Sequence, residues 1–392
     1  MSRGRPTQPE VKLRNNPSEW CKGVETIRVP INRPFFGEEE AKEVYRLVIA
    51  GALTSSATEG GRKVREFEAG LSAYLGCKDV VVVNSGTSAL VAALMAADVK
   101  SGDEVIVPSF TFVATANAVR FLGAVPVFAD IRLSDYTLDI DDVKRKLNRK
   151  TRAVIPVNLY GDIADVHALK ELLEKDFLPV IEDAAQSLGS SEDGARSGTM
   201  GEMGCFSFYP SKVISTGEGG AVATNAPELA TKLRMIRNHG MVKGYDTTIL
   251  GLNFRLPEIE AALGVEQLRR LEGFIASRRR NAAALTKGLG ELGNVRLVRE
   301  RPGQRFNWYL YTIYVKGNRD KLMKRLRESG FGATVYYNPP VHRTPYYSKL
   351  SSSPLPHTDD AAAHVLSIPV HPFVTESDVD EMIRLIKTDD VR

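Results

Sequence analysis

Apolar residues along the chain follow two different periods, and the order of these periods predicts the layout of the fold. From residue 38 to residue 53 they recur at helical spacing, with Ala41, Val44 and Leu47 on one face. Short runs rich in β-branched residues then alternate with further helical segments. Strands buried on both faces carry such continuous apolar runs, and their alternation with helices is typical of βαβ units. The pattern therefore predicts an α/β fold with a mostly parallel sheet.

The alternation covers the first half of the chain. Strands are expected at 80–84, 103–109, 125–130, 151–161 and 178–186. Helices are expected at 38–53, 64–76, 87–98, 115–123, 140–148 and 166–175. Near 194–204 a glycine-rich strand and loop region replaces the alternation, and the following segment GCFSFYP has the pattern of a short buried strand.

The last third of the chain has a different pattern, which predicts a second unit. A long helical stretch at 255–292 indicates one or two connecting helices. After it, strands are expected at 308–315 and 333–337, and helices at 319–330 and 377–387. We therefore predict an N-terminal arm at 1–34, a large domain at 35–275 and a smaller α+β domain at 276–392.

Composition and charge are those of an ordinary globular protein. Hydrophobic residues make up 43% of the chain and charged residues 26%, and the net charge is +4. The first fourteen residues carry four basic side chains against one acid, so the rest of the chain is nearly neutral. Because no motif supports nucleic-acid binding and no apolar run approaches the roughly 18 residues of a membrane span, we expect neither kind of partner.

Cysteine usage and the N-terminus indicate the compartment. Cys21, Cys77 and Cys205 form neither a CxxC pair nor a metal-type spacing, so we expect no disulfide framework and no metal site. The first residues contain no apolar segment of the kind that secretory signals have. We therefore expect a cytoplasmic protein.

The first stretch that suggests a binding site is Ser85-Gly86-Thr87-Ser88, which joins a predicted strand to a predicted helix. Small residues let a ligand approach the backbone closely, and a helix start offers unpaired N–H groups and a positive dipole end. The stretch therefore suits an anion. An ordinary turn in which Thr87 or Ser88 caps the helix also fits this pattern.

The second stretch is VIEDAAQ, in which Glu182 and Asp183 end a buried strand. Ligands of open α/β sheets bind at the carboxyl ends of strands, and an acid there needs a cationic or hydrogen-bonding partner. Gln186 follows three residues later and is expected to face the same pocket. A helix cap at the strand exit is the alternative.

The third stretch is SFYPSKVISTGEGG, where Lys212 lies between an apolar run and a set of glycines. Apolar surroundings favour the free amine, which is the nucleophilic form of a lysine and condenses with aldehydes. A surface lysine in a glycine-rich loop is the alternative. One ligand that uses all three stretches carries a phosphate, a basic ring nitrogen and an aldehyde, and pyridoxal 5'-phosphate (PLP) is such a ligand.

These stretches also make the sequence recognisable. NSGTSAL, GDEVIVPSFTFVATANAV, VIEDAAQSLG, GCFSFYPSKVISTGEGGAV, GLNFRLPEIEAALGVEQL and VYYNPPVH occur in this order. In these blocks the chain resembles the DegT/DnrJ/EryC1/StrS family of PLP-dependent sugar aminotransferases, over roughly residues 30 to 385. The resemblance implies the aspartate-aminotransferase fold (fold type I). In that fold a large PLP-binding domain has a mostly parallel, seven-stranded sheet flanked by helices, and a smaller α+β domain follows it.

The resemblance also implies roles for individual residues. Lys212 corresponds to the lysine that holds the cofactor aldehyde as an internal aldimine and later moves the proton. Asp183 corresponds to the partner of the ring nitrogen, and Gln186 to the amide near the ring hydroxyl. Four further positions correspond to the aromatic residue stacked on the ring and to the phosphate-binding turn with its serine, namely Phe112, Gly86, Thr87 and Ser207. Asn253 corresponds to an asparagine that reaches the phosphate from the partner subunit, which implies a homodimer with shared sites.

The implied reaction is a ping-pong transfer of an amino group from an amino acid, with L-glutamate the expected donor, to a keto-sugar linked to a nucleotide. A cyclic ketone without a nucleotide is an alternative acceptor. A sensor that binds PLP without turnover and a PLP lyase with a catalytic cysteine are alternatives of other classes. The buried strand pattern around Cys205 does not favour the lyase.

Overall fold

The computed structural model describes residues 27–350 and 353–388, and there the chain forms a mixed α/β fold, which confirms the predicted class. Most of the predicted N-terminal arm lies outside the described residues. Helices α1 to α11 span Glu38–Ile49, Arg62–Leu75, Gly86–Ala96, Ala114–Phe121, Ile140–Lys146, Val166–Leu173, Pro227–Arg237, Glu258–Leu289, Arg319–Glu328, Pro356–His364 and Glu376–Lys387. None of these helices is long and apolar enough to cross a bilayer within the two described ranges.

The strands are short. Strands β1 to β15 span Asp79–Val83, Glu104–Pro108, Val125–Ala129, Thr151–Val154, Ile181–Asp183, Ser191–Glu192, Ala195–Arg196, Met203–Ser207, Gly220–Thr224, Met241–Lys243, Asp246–Thr247, Val295–Leu297, Gln304–Arg305, Tyr311–Val315 and Val365–Ile368.

Two neighbouring sheets carry the first half of the chain. One has the order β3-β2-β4 with all strands parallel, and the other has the order β1-β9-β8-β5. In the second sheet β5 and β8 are parallel, whereas β9 is antiparallel to both β8 and β1. Isolated parallel bridges between Val154 and Val180 and between Val157 and Asp183 join the two sheets. Because β5 and β8 run in the same direction, their carboxyl ends lie at one edge.

The C-terminal part has its own sheet and core. Strands β12, β14 and β15 pair antiparallel. An apolar cluster covers this sheet, with Leu322 and Leu326 of α9 and Met382 and Ile386 of α11 fully or almost fully buried. The long helical stretch is one helix, α8, of 32 residues, which packs against α1, α2 and α11 and so joins both parts.

Several sequence-based elements differ from the structure. The strand predicted at 333–337 is wrong, because the segment is irregular and only Thr334 forms a bridge, with Ser367. The prolines that follow it, Pro339 and Pro340, lack the N–H that a continuing ladder needs. The strand predicted at 151–161 ends at Val154. Strands β9 and β15 and helices α7 and α10 were not predicted from the sequence.

Candidate active site

Asp183 is a buried acid at the carboxyl end of β5, with 6% of its surface exposed. The Thr115 hydroxyl donates a hydrogen bond of 2.8 Å to Oδ2, and the Ala185 N–H donates one of 3.2 Å to Oδ1. Burial raises the pKa of Asp183, and the bond from Thr115 and the positive charge of Lys212 act in the opposite direction. Burial is the largest of these effects, so the pKa of Asp183 is raised, and its neighbours offset part of the rise.

The adjacent acid, Glu182, faces a different environment. Its carboxylate is fully buried and accepts hydrogen bonds of 2.8 Å from the N–H groups of Gly198, Met200 and Gly201. Asn158 Nδ2 donates a further bond of 2.9 Å. The Glu182 carboxylate uses these bonds to hold the turn between β7 and β8. Of the two acids, Asp183 is therefore the one that is available to a ligand.

Lys212 lies five residues beyond the end of β8, in a turn where its N–H donates a bond of 2.8 Å to the Tyr209 carbonyl. Its Nζ is 4.8 Å from the centre of the Tyr309 ring. Among residues 27–350 and 353–388, no carboxylate lies within ion-pair distance of this Nζ. Lys212 lines a small cavity together with Ala185, Gln186, Leu188, Ser207, Val213, Ile214 and Tyr309. The apolar walls expected around this lysine are present.

The turn from β1 to α3 contacts the end of β8. Ser85 caps α3, because its Oγ accepts a bond of 3.0 Å from the Ser88 N–H. A side chain at Gly86 would place its Cβ 2.8 Å from the Cβ of Ser207, so only glycine fits there. Thr87 is exposed in the first turn of the helix. The first N–H groups of a helix have no acceptor within it, and its dipole attracts anions, so this turn and Ser207 together suit a phosphate.

Gln186 is buried and held at both ends of its amide. Oε1 accepts a bond of 2.8 Å from the Tyr160 N–H, and Nε2 donates one of 2.9 Å to the Tyr337 hydroxyl. The Tyr160 hydroxyl in turn donates to the Tyr336 carbonyl. These three tyrosines were not predicted as site residues. The sequence offered only their aromatic character, with Tyr160 in the segment after β4 and the other two in the segment wrongly predicted as a strand.

Phe112 and the predicted pocket are linked through Thr115. The Phe112 ring is 55% exposed, and its centre lies 6.1 Å from that of Tyr337. The Phe112 carbonyl accepts a bond of 3.2 Å from the N–H of Thr115, the residue that also contacts Asp183. An exposed ring held in this way is available to cover a flat ligand.

Asn253 lies beside the turn that precedes α3. Its carbonyl accepts a bond of 3.4 Å from Asn84 Nδ2, and its side chain is exposed. The neighbouring Phe254 carbonyl accepts a bond of 3.0 Å from the Asn84 N–H. The segment is thus close to the phosphate-type turn of its own chain, and its contact across a subunit interface stays a prediction.

Comparison with known proteins places this arrangement in a family. Residues 37–387 match the DegT/DnrJ/EryC1/StrS aminotransferase family. The GDP-perosamine synthase of Caulobacter vibrioides is 36% identical over 332 residues, which cover 82% of this chain and 89% of that protein.

Solved structures agree with the sequence match. DesV of S. venezuelae, solved in complex with a ketimine intermediate, is 34% identical and has a TM-score of 0.87 over 93% of this chain and 100% of that one. The PLP form of Spr1654 from Streptococcus pneumoniae is 26% identical, with a TM-score of 0.87 over 93% of this chain and 98% of that one. The protein therefore belongs to the DegT/DnrJ/EryC1/StrS family and is an aminotransferase.

Proposed function

We propose that this protein is a PLP-dependent aminotransferase that moves an amino group from L-glutamate to a keto-sugar linked to a nucleotide, by a ping-pong mechanism. The observation that carries the proposal is that Lys212, which has no acid partner among the described residues, lies close enough to the buried Asp183 for its positive charge to act on the pKa of that carboxyl. The relatives support the acceptor, because one of them is named for a GDP-linked amino sugar.

The residues around Lys212 and at the neighbouring strand and helix ends fit PLP. Asp183 would pair with the ring nitrogen, Gln186 would lie near the ring hydroxyl, and Phe112 would cover one ring face. The phosphate would bind at Gly86, Thr87 and Ser207, where the close approach of the two backbones requires a glycine. When bound, PLP supplies an aldehyde that captures amines and a protonated ring that accepts electrons.

The chain's own residues would do the remaining work. The Lys212 amine would bind the aldehyde and, once released, move a proton between the amine-bearing carbon of the substrate and the former aldehyde carbon, which lies on the other side of the shared nitrogen. No carboxylate lies within ion-pair distance of this amine among the described residues, so no such contact would have to break before it reaches the aldehyde. The amino group of the donor would stay on the cofactor after the keto acid leaves and would then pass to the acceptor, which is the reason for a ping-pong order.

We also propose a homodimer in which Asn253 reaches the phosphate of the partner's site. Exposed apolar side chains on and after α1 support an interface, with Tyr45 57%, Val48 51%, Ile49 61% and Leu53 47% exposed. Apolar clusters of this kind mark contact surfaces. The free thiols of Cys77 and Cys205 fit the cytoplasm as the compartment.

The domain division of the sequence analysis is part of the proposal. Residues 35–275 would form the cofactor-binding domain, in which the three-stranded and four-stranded sheets act as one seven-stranded sheet. Residues 276–392 would form the small domain around β12, β14 and β15, with α8 crossing the boundary.

The test is a substrate screen with the purified, PLP-loaded protein. L-glutamate is supplied with nucleotide-linked keto-sugars that differ in the position of the carbonyl, and with a keto-cyclitol as the acceptor without a nucleotide. Mass spectrometry should show an amino sugar nucleotide, and Lys212→Ala should show none. Amination of the cyclitol alone would overturn the nucleotide-sugar acceptor and favour the alternative.

A further inference from the structure

Tyr309 is a buried residue that no part of the proposed function assigns. It is 4% exposed, and the face of its ring lies 4.8 Å below the Lys212 Nζ. Its hydroxyl is 3.1 Å from the Ser211 Oγ, the residue directly before the lysine. The ring is thus fixed against both Lys212 and its neighbour.

Two buried side chains hold the backbone of Tyr309. Asn307 Oδ1 accepts a bond of 2.8 Å from the Tyr309 N–H, while Asn307 Nδ2 donates bonds of 3.0 Å to the Gln186 carbonyl and 2.9 Å to the Leu188 carbonyl. On the other side, Arg278 Nη1 donates bonds of 3.0 Å to the Tyr309 carbonyl and 3.3 Å to the Trp308 carbonyl. The backbone of Tyr309 is therefore tied to the segment that carries Gln186.

Arg278 is unusual for a buried cation. Its side chain on α8 is 2% exposed, and burial lowers its pKa to about 10, so it stays charged at neutral pH. Within the described part of the chain no carboxylate pairs with it, and its remaining bond, of 3.3 Å, goes to Asn32 Oδ1. A buried charge that binds only neutral acceptors is costly. Its contacts centre on the two carbonyls beside the ring of Tyr309.

An aromatic face suits a lysine that has to change its protonation state. It attracts an ammonium group through the ring quadrupole, without the permanent charge of a carboxylate. Such a face holds the amino group at a fixed place without a contact to a carboxylate.

We propose that Tyr309 is the positioning residue of Lys212, and that Arg278 holds the Tyr309 ring in place beneath the lysine. The inference rests on the proposed function, in which Lys212 binds the cofactor and moves the proton. The position of the Lys212 side chain over the Tyr309 ring can nevertheless be measured without the cofactor.

The test is nuclear magnetic resonance of the full-length protein without PLP, produced with lysine labelled with carbon-13 at Cε. Protons above an aromatic face are shielded, so the Hε signal of Lys212 should lie upfield of the other lysines, and it is assigned by its loss in Lys212→Arg. Tyr309→Leu should return the signal to the ordinary lysine position, whereas Tyr309→Phe, which keeps the face, should retain the upfield shift. Arg278→Met should reduce the shift.

A matched control separates positioning from general loosening of the core. Tyr347→Leu removes another buried tyrosine, one whose ring contacts Phe128 and Tyr346, and should leave the Lys212 signal in place. With substrates, Tyr309→Leu should lower kcat about tenfold without a change in KM, as the loss of one cation–π contact predicts.

The outcomes are distinguishable from those of the proposed function. An ordinary position of the Lys212 signal in the wild-type protein overturns the inference even if no variant folds. An unchanged signal in folded Tyr309→Leu overturns it as well. Failure of the wild-type protein to develop a visible absorption band with PLP would instead overturn the proposed function.

Discussion

At the scale of single residues, the two neighbouring acids at the end of β5 have different roles because a strand turns successive side chains to opposite faces. Glu182 faces the turn before β8 and is satisfied by backbone N–H groups, whereas Asp183 faces the pocket. The sequence placed both acids at a strand end, but only the register of the strand decides which one reaches a ligand. A shift of that register by one residue would exchange their roles.

Thr115 shows what lay beyond the sequence. Its hydroxyl donates a hydrogen bond to Asp183, which is 68 residues away in the sequence. No local sequence pattern predicts a contact between residues so far apart. Lys212, Asp183 and Gln186 were predictable as neighbours, because the carboxyl ends of adjacent parallel strands meet at one edge, whereas Ser207 followed only from the family resemblance. Tyr309, by contrast, comes from the C-terminal part of the chain, and its place beneath Lys212 depends on the packing of the two parts.

The Thr115 contact leads to a prediction on activity. Thr115→Val removes the hydroxyl that favours the ionised form of Asp183, and should lower kcat by about ten- to a hundredfold, since a hydrogen bond to a charged group contributes roughly 1.5–3 kcal/mol. Steady-state kinetics measure the effect. Thr115→Ser keeps the hydroxyl and serves as the matched control, and a valine variant as active as the wild-type protein would contradict the role of the contact.

At the scale of elements, periodic segments were predicted well and short irregular ones were not. Helices α2 and α3 and strands β1 to β3 follow from their apolar patterns, because each of them is buried on one face or on most sides. Helix α1 also forms where its apolar period predicts it, but the residue that it buries is Glu40, and the apolar Tyr45, Val48 and Ile49 are exposed. The segment at 333–337 has β-favouring residues, yet its tyrosines turn toward the pocket, where Tyr337 meets Gln186. Tertiary contacts there override local preference.

The start of α2 depends on a side chain from another helix. The Glu258 carboxylate, buried at the start of α8, accepts bonds of 2.8 Å from the Lys63 N–H and 3.2 Å from the Val64 N–H. A Cβ at Gly61 would lie 2.2 Å from Glu258 Oε1, so the helix begins at a residue that leaves room for the acid. The contact both caps α2 and fixes it against α8.

This contact carries a prediction on stability. Glu258→Ala leaves two N–H groups of the first turn without a partner and should lower the free energy of unfolding by about 1–3 kcal/mol. Urea unfolding measures the difference, with Glu291→Ala, an exposed acid, as the control. Equal midpoints for the two variants would show that the cross-helix cap contributes nothing.

At the scale of the whole molecule, the shared active site can be tested by mixing subunits. Lys212→Ala and Asn253→Ala are each expected to be impaired alone. If Asn253 acts on the partner's site, a hybrid dimer of the two variants contains one site with both residues intact, and mixing after mild unfolding and refolding should restore activity. If Asn253 acts within its own subunit, every hybrid site has one defect, and no recovery would contradict the crossed arrangement.

The central claim is that Lys212 binds PLP in a pocket built for transamination, and an absorption spectrum tests it most directly. The wild-type protein with added PLP should show a visible band that Lys212→Ala lacks, and L-glutamate should convert this band to one in the near ultraviolet. A visible band that glutamate leaves unchanged would contradict the proposed donor reaction. Absence of the band in the wild-type protein would contradict the claim itself.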